Sequence, residues 1–305
     1  MSRTPTVKRP RRLRIGLAAS GAHRHGPAAA LFRLFAPIEQ ALEQTLRPEL
    51  FVVGRTWASL TDGGLFIRYD GLHRLPERRD GGVVKLTAML VDDEPARSLD
   101  AIVYLLDPDD PTSVFPEGLA LKRQCVVHGK PFVSTLAHAQ EWFELAICAA
   151  GGEPDPQLDA RFDFDGEAIA MVAHDARKDA MVAFVRKHFA LLSRFPRRYA
   201  TGTTGARLNE LAAELGAGKD WVHRLKSGPL GGDAQLADLI LERRCARVVF
   251  FEDPHVARQH EADIQLLERA ARIATGYASC INDPETAERW AAAFERRISQ
   301  RILPP

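Results

Sequence analysis

Val103-Tyr104-Leu105-Leu106-Asp107-Pro108 and Val249-Phe250-Phe251-Glu252-Asp253-Pro254 are two renderings of one pattern, an apolar run closed by Asp-Pro. Each leads through a helix-like stretch to a tryptophan, Trp142 and Trp290. Upstream the parallel continues. Ile15-Gly16-Leu17-Ala18-Ala19 faces Ile169-Ala170-Met171-Val172-Ala173, Val53-Gly54-Arg55-Thr56 faces Thr201-Gly202-Thr203-Thr204, and Gly81-Gly82 faces Gly231-Gly232. These anchors keep their order at a nearly constant spacing, and the drift is the size that small loop insertions produce, so the chain writes one fold twice.

Within each half, short apolar strand-like runs alternate with amphipathic helical stretches. Residues 179–192 are an example, with Met181, Phe184, Val185, His188 and Phe189 near one face. Strands alternating with helices at this spacing predict βαβ units and a mostly parallel sheet covered on both faces. The expected fold class is α/β, two tandem doubly wound domains of Rossmann/flavodoxin-like type. The expected boundaries are a basic tail over 1–12, a first domain over 13–150, a turn-rich linker over 151–165 and a second domain over 166–305. A chain of 305 residues, at roughly 150 per domain, agrees with that division.

With 41 basic and 40 acidic residues the formal charge is +1, so no global field argues for nucleic acid or an anionic membrane as partner. Any anion site must be local. Cys125, Cys148, Cys245 and Cys280 lie far apart without metal-ligand spacing and read as buried reduced thiols, with no metal site. Arg11-Arg12 before the short apolar stretch 13–22 superficially resembles an export signal, but that stretch runs straight into His23-Arg24-His25 and reads better as a basic tail. No segment approaches the ~20 apolar residues of a membrane helix, and the expected location is cytoplasmic.

In open parallel sheets ligands bind beyond the carboxyl ends of the strands. In the second half every strand-like run ends in a chemically loaded cluster: His174-Asp175, then Thr201-Gly202-Thr203-Thr204-Gly205, then Asp253. Between them Ser227-Gly228-Pro229-Leu230-Gly231-Gly232-Asp233 forms a glycine-rich loop that opens a helix. These strings, with Val172-Ala173 before His174, Phe250-Phe251 before Asp253, and His260 and Asp263 beyond, resemble in content and order the motif set of the methylglyoxal synthase family. The resemblance covers roughly residues 166–290.

It implies a cofactor-free lyase that converts dihydroxyacetone phosphate into methylglyoxal and inorganic phosphate. A phosphate needs hydroxyl and backbone N–H donors plus a cation, with glycine permitting close approach. Thr201, Thr203, Thr204, Ser227 and Gly228 are the candidate donors and Lys178 the candidate cation, with His174 beside them. Taken alone, the threonines would read as a turn or helix cap and Lys178 as a solvated helix face. The resemblance makes Asp233 the base that removes a proton next to the ketone, where an isolated Asp would read as an N-cap. It makes His260 a neutral electrophile toward the carbonyl oxygen, as a histidine is beside a carboxylate base in triosephosphate isomerase. His174, Asp175, Asp253 and Asp263 are the supporting polar groups, orienting His260 and moving protons.

Several positions depart from the family pattern. Its Trp before Asp-Pro is Glu252, and its Pro-His-Asp-Pro-Asp is Gln259-His260-Glu261-Ala262-Asp263. The segment between Gly205 and Ser227 is longer than usual, and only Arg297 or Arg301 is available for the arginine that family members bring to the pocket. Phosphate affinity is what these changes put in doubt. The first half lacks the chemistry: the repeat sets Ser20 and Gly21 against His174 and Asp175, Val83 against Asp233, Val114 against His260 and Glu117 against Asp263, and retains only Asp107. It reads as a degenerate, non-catalytic copy. Single-domain relatives assemble as hexamers, so the resemblance implies a homo-oligomer, a trimer if each tandem chain replaces two subunits. The rival reading is a phosphate- or metabolite-sensing module, because the same fold serves as the regulatory domain of carbamoyl-phosphate synthetase. A sensor needs the phosphate donors but not Asp233 together with His260.

Overall fold

The computed structural model describes residues 11–111, 115–164, 167–255 and 261–302, with side chains described except at 261–264 and 301–302. The first unit contains β1 (Arg14–Ala19), α1 (Ala30–Ala41), β2 (Glu49–Val53), α2 (Gly54–Asp62), β3 (Leu72–Leu75) and α3 (Gly82–Leu90). It closes with β4 (Ala101–Leu105), α4 (Pro116–Val127), β5 (Phe132–Val133) and α5 (Leu136–Ala149). The second contains β6 (Ala168–Ala173), α6 (Lys178–Lys187), α7 (Phe189–Ser193), β7 (Arg197–Thr201), α8 (Gly202–Glu214) and β8 (His223–Leu225). There follow α9 (Gly232–Leu241), β9 (Arg247–Phe251), α10 (Glu261–Ile273), β10 (Ser279–Ile281) and α11 (Pro284–Ile302).

Each unit is a five-stranded parallel sheet, and the strand orders β3-β2-β1-β4-β5 and β10-β9-β6-β7-β8 are one topology read from opposite edges. The register also repeats: Ile15 pairs Ala101 as Ile169 pairs Arg247, Phe51 pairs His73 as Tyr199 pairs His223, and Ile102 pairs Phe132 as Val248 pairs Cys280. The two doubly wound α/β domains expected from the alternation are present. Both sheet faces are covered, which is why the central strands β1, β4, β6 and β9 carry continuous apolar runs, while the edge strands β3 and β8 carry His and Arg. In β9, Val249 and Phe251 face a core with Met181, Phe184, Leu208 and Trp290, while Val248 and Phe250 face one with Leu236, Ile240 and Leu267.

One element differs from expectation. The helical pattern over 179–192 is broken into α6 and α7 at His188, whose backbone leaves the helical region while its buried ring bonds Glu288 at 2.8 Å. Met181, Phe184 and Val185 still occupy the apolar face. Residues 151–164 contain a short 3-10 turn, Pro156–Arg161, and contribute Phe162 and Phe164 to the second core.

The units meet in a two-fold-like manner. Arg123 Nε on α4 donates to the carbonyl of Pro254 at 2.9 Å, and its counterpart Arg269 on α10 donates to the carbonyl of Pro108, the counterpart of Pro254. Lys122 lies against Glu252 (2.8 Å) and against Glu268, its own counterpart in the other unit. Such reciprocity is the mark of an isologous interface, here formed within one chain. Deeper in, the buried Arg247 donates from Nη2 to Glu141 Oε2 at 2.7 Å and from Nη1 to Glu167 at 3.1 Å, while Trp290 Nε1 donates to Glu141 Oε1 at 2.6 Å. Burial by itself would push the Glu141 carboxyl up; the Arg247 charge and its N–H donors hold it below the ordinary carboxylate range.

Removing one partner of such a pair leaves a charge without water or counterion. Arg247→Met is therefore expected to destabilise the full chain by about 3–5 kcal/mol, and Glu141→Leu combined with Arg247→Met by much less. Urea unfolding of the three proteins checks this. A single variant that unfolds at the wild-type midpoint would show that the pair does not hold the units together.

Candidate functional site

The carboxyl ends of β6, β7 and β9 open onto one cleft of about 420 Å³. It gathers His174, Asp175, Lys178, Thr201, Thr203, Thr204, Ser227, Gly228 and Asp233, with Phe250 as an apolar wall. The sequence points to each of these except Phe250. Its ring packs edge-on against the His174 ring at 4.9 Å, a contact that the alternation of side chains along β9 could have suggested.

His174 follows the last residue of β6. Its backbone N–H is fixed by the Phe251 carbonyl at 3.1 Å, and its Nδ1 accepts the Asp253 backbone N–H at 2.7 Å. An accepting Nδ1 places the proton of a neutral imidazole on Nε2. Asp253 thus reaches the site through its amide; its side chain is buried and Oδ1 accepts the His255 N–H at 3.0 Å.

Lys178 begins α6, and its ammonium bridges Asp175 and Thr203. The hydrogen bond and charge of Lys178 hold the exposed Asp175 carboxyl below its ordinary value. Thr201 ends β7 and stands at the N-cap of α8, with Thr203 and Thr204 in the first turn. The first N–H groups of a helix lack partners within it, so this turn presents donors and a partial positive charge to the cleft.

Opposite stands the loop from Ser227, which turns through a 3-10 stretch, Gly228–Leu230, into α9 with Asp233 in its first turn. Two glycines mark close approaches across the cleft, the first of them against backbone. A Cβ on Gly202, which has φ +32, would fall 2.6 Å from Ser227 Cα, and one on Gly228 would fall 2.8 Å from Asp233 Oδ2. The loop can therefore bring its backbone against the α8 terminus, with the nearly buried Asp233 carboxylate beside Gly228.

His260 lies outside the described residues. Asp263 is on α10, and its side chain is not described. Arg297 is not at the cleft: fully buried on α11, it donates to Glu144 at 2.7 Å and Asp159 at 2.8 Å, since a guanidinium that deep needs carboxylates around it. Arg301 has no described side chain. Glu252, at the position of the family's tryptophan, is turned into the interface, where Lys122 and Asn282 bond it. Burial, and after it the neighbouring Glu268, push its carboxyl up against the opposing pull of Lys122. The departure at 252 is thus tied to a lysine of the other unit. Among the described residues no helix is long and apolar enough to cross a membrane, and no three His, Cys, Asp or Glu side chains come together as a metal site.

No protein-family model matches the chain. It is similar to the methylglyoxal synthase of Thermus thermophilus, 47% identical over 107 residues that make up 35% of this chain and 79% of that protein. The methylglyoxal synthase of Brucella ovis is 42% identical over 105 residues, 34% of this chain and 79% of that protein. Among solved structures, a methylglyoxal synthase from Elizabethkingia anophelis is 36% identical, covering 41% of this chain and 76% of that one at a TM-score of 0.33. The matched stretch is no longer than one of the two units, yet it spans most of an entire relative at 47% identity, and on that ground the chain belongs to the methylglyoxal synthase family.

Proposed function

We propose that the second unit, residues 166–305, is a working methylglyoxal synthase acting on dihydroxyacetone phosphate in the cytoplasm, and that the unit over 13–150 is a duplicate that has lost the chemistry. The observation that carries the reading is the single cleft joining a carboxylate, Asp233, to a set of phosphate donors between two helix N-termini.

The substrate phosphate lies among Thr201, Thr203, Thr204, Ser227 and the Gly228 N–H, with Lys178 offsetting its charge. Asp233 takes a proton from the hydroxymethyl carbon, and the electron pair moves toward the carbonyl oxygen to give an enediolate. His260 stabilises that oxygen as a neutral donor. Nε2–H of His174, in the tautomer set by the Asp253 amide, adds a further donor within the cleft. The remaining hydroxyl gives up its proton to the departing phosphate and becomes the aldehyde as the C=C electron pair shifts to break the C–O bond to phosphate. The enolate left behind is protonated on its CH₂ carbon, by the proton Asp233 took, to give the methyl group of methylglyoxal. Asp263 and Asp253 orient His260 and the proton path.

Incubation of the pure protein with dihydroxyacetone phosphate should release methylglyoxal and inorganic phosphate in equal amounts, and added phosphate should raise the apparent KM by competing for the same donors. Glyceraldehyde phosphate without free phosphate would mean an isomerase. Binding without any product would leave a sensor.

A further inference from the structure

The first unit has a cleft at the same place in its fold, and it is the larger of the two, about 570 Å³. Its residues correspond to those of the second through matching backbone bonds. The Ser20 N–H meets the Leu105 carbonyl at 2.9 Å, as His174 meets Phe251, and the Asp107 amide donates to Ser20 Oγ at 3.2 Å, as Asp253 donates to the His174 ring. Gly54 N–H donates to the Pro76 carbonyl at 3.1 Å, as Gly202 N–H donates to that of Lys226, so Glu77 stands where Ser227 stands and Val83 where Asp233 stands.

At the phosphate-holding positions the substitutions have a direction. Arg24 corresponds to Lys178, Arg55 to Thr203, Arg78 to Gly228 and Arg79 to Pro229, and all four line the cleft. Glu77 lies among them, 3.5 Å from Arg55 Nε and 3.2 Å from Arg79 Nε, and Asp80 lies 3.7 Å from Arg79 Nε. Burial, and then the nearby Arg55 guanidinium, lower the pKa of Arg24. Planar guanidinium forks are matched to phosphate and carboxylate oxygens.

The strand order places these arginines, from the β1, β2 and β3 ends, on one side and Asp107, Asp110 and Glu117, from the β4 end and α4, on the other. Arg24, at the β1 end, senses Asp110 across that divide. Carboxylates on that side accept hydrogen bonds from hydroxyl groups. Tyr104 and Phe115, the latter beneath Arg78 at 5.0 Å, supply flat apolar walls of the kind a ring lies against. With Val83 at the position of Asp233, the carboxylate proposed to start the lyase reaction has no counterpart here.

We infer that the first-unit cleft is a non-catalytic binding site for a sugar phosphate larger than a triose, its phosphate on the arginines and its hydroxyls toward Asp107, Asp110 and Glu117, and that occupancy tunes the second unit. The second clause rests on the activity proposed above; the first does not. The link is structural. The loop carrying Asp107 and Asp110 is held by Arg269 of α10, through Asp109 at 2.8 Å. The helix carrying Glu117 holds the Glu252–Pro254 loop through Lys122 and Arg123, next to the amide that fixes His174.

The test is calorimetric titration of the full chain with glucose 6-phosphate, with glucose and inorganic phosphate as controls. The wild type, Lys178→Ala and the double variant Arg55→Gln with Arg79→Gln are compared. Both arginines are largely exposed, so the double variant should unfold with the wild-type midpoint. Expected are binding that survives Lys178→Ala, a loss of about tenfold or more in the double variant, and no binding of glucose. Glucose 6-phosphate should also change the apparent KM for dihydroxyacetone phosphate in the wild type but not in the double variant. Equal affinity in wild type and double variant, or no binding of glucose 6-phosphate, overturns the site. Loss of binding in Lys178→Ala does so too, by moving the ligand to the second cleft and leaving the proposed reaction untouched. Unchanged kinetics at saturation overturn the tuning.

Discussion

Asp233→Asn should lower turnover of dihydroxyacetone phosphate by ~10²–10⁴ while leaving the fold intact, the usual worth of a positioned general base. The substitution preserves size and removes the ability to accept a proton, so it separates two roles that the geometry allows. Asp233 sits in the first turn of α9, where a negative charge also favours the helix dipole. That structural role is worth only about 0.3–1 kcal/mol and would appear as a small drop in stability with turnover preserved. Asp233 also lines the cleft beside Gly228, where the proposed base must stand. Steady-state kinetics alongside urea unfolding decide between them. Wild-type turnover in the folded variant would remove Asp233 from the mechanism and assign the proton abstraction to another group.

The fold and most of this cleft were legible because both rest on local rules. A doubly wound sheet brings the carboxyl ends of its strands to one edge, so strings such as His174-Asp175 and Thr201 to Gly205 converge although far apart in sequence. The repeat was visible because matching register demands matching apolar runs, as in 103–108 and 249–254. The interface was not legible. Glu141 meets Arg247, and Lys122 meets Glu252, across more than a hundred residues, and nothing local in the sequence distinguishes such a charge from a solvated one. For the same reason Arg297 read as a possible pocket arginine when it belongs to a buried cluster with Glu144 and Asp159. The helix break at His188 escaped because the apolar periodicity runs on through it; what decides it is the distant Glu288.

The fragment 151–305 should aggregate or change its oligomeric state and lose most of its activity, although it retains every proposed catalytic residue. Removal of the first unit takes Glu141 from Arg247, Glu144 from the fully buried Arg297, Lys122 from Glu252 and Glu268, and the acceptor from Trp290 Nε1. It also removes Leu145, a member of the second unit's own core. Each buried charge left behind must be rehydrated by opening the structure around it, at a cost of several kcal/mol, which two or three such sites raise to the whole stability of a small domain. The face so uncovered was shaped for another copy of the same fold, and exposed surfaces of that kind associate. In the full chain the first unit occupies that face, so light scattering should report a defined oligomer, a trimer if each tandem pair replaces two subunits of a hexameric arrangement. The loss of activity follows from the same contacts, because Lys122 and Arg123 hold the loop whose Asp253 amide fixes His174. Light scattering, unfolding and turnover measured on both proteins test the expectation. A fragment that stays monomeric, unfolds at the full-length midpoint and turns over at the full-length rate would show that the first unit is not a structural partner, and would leave ligand binding in its own cleft as the function still open to it.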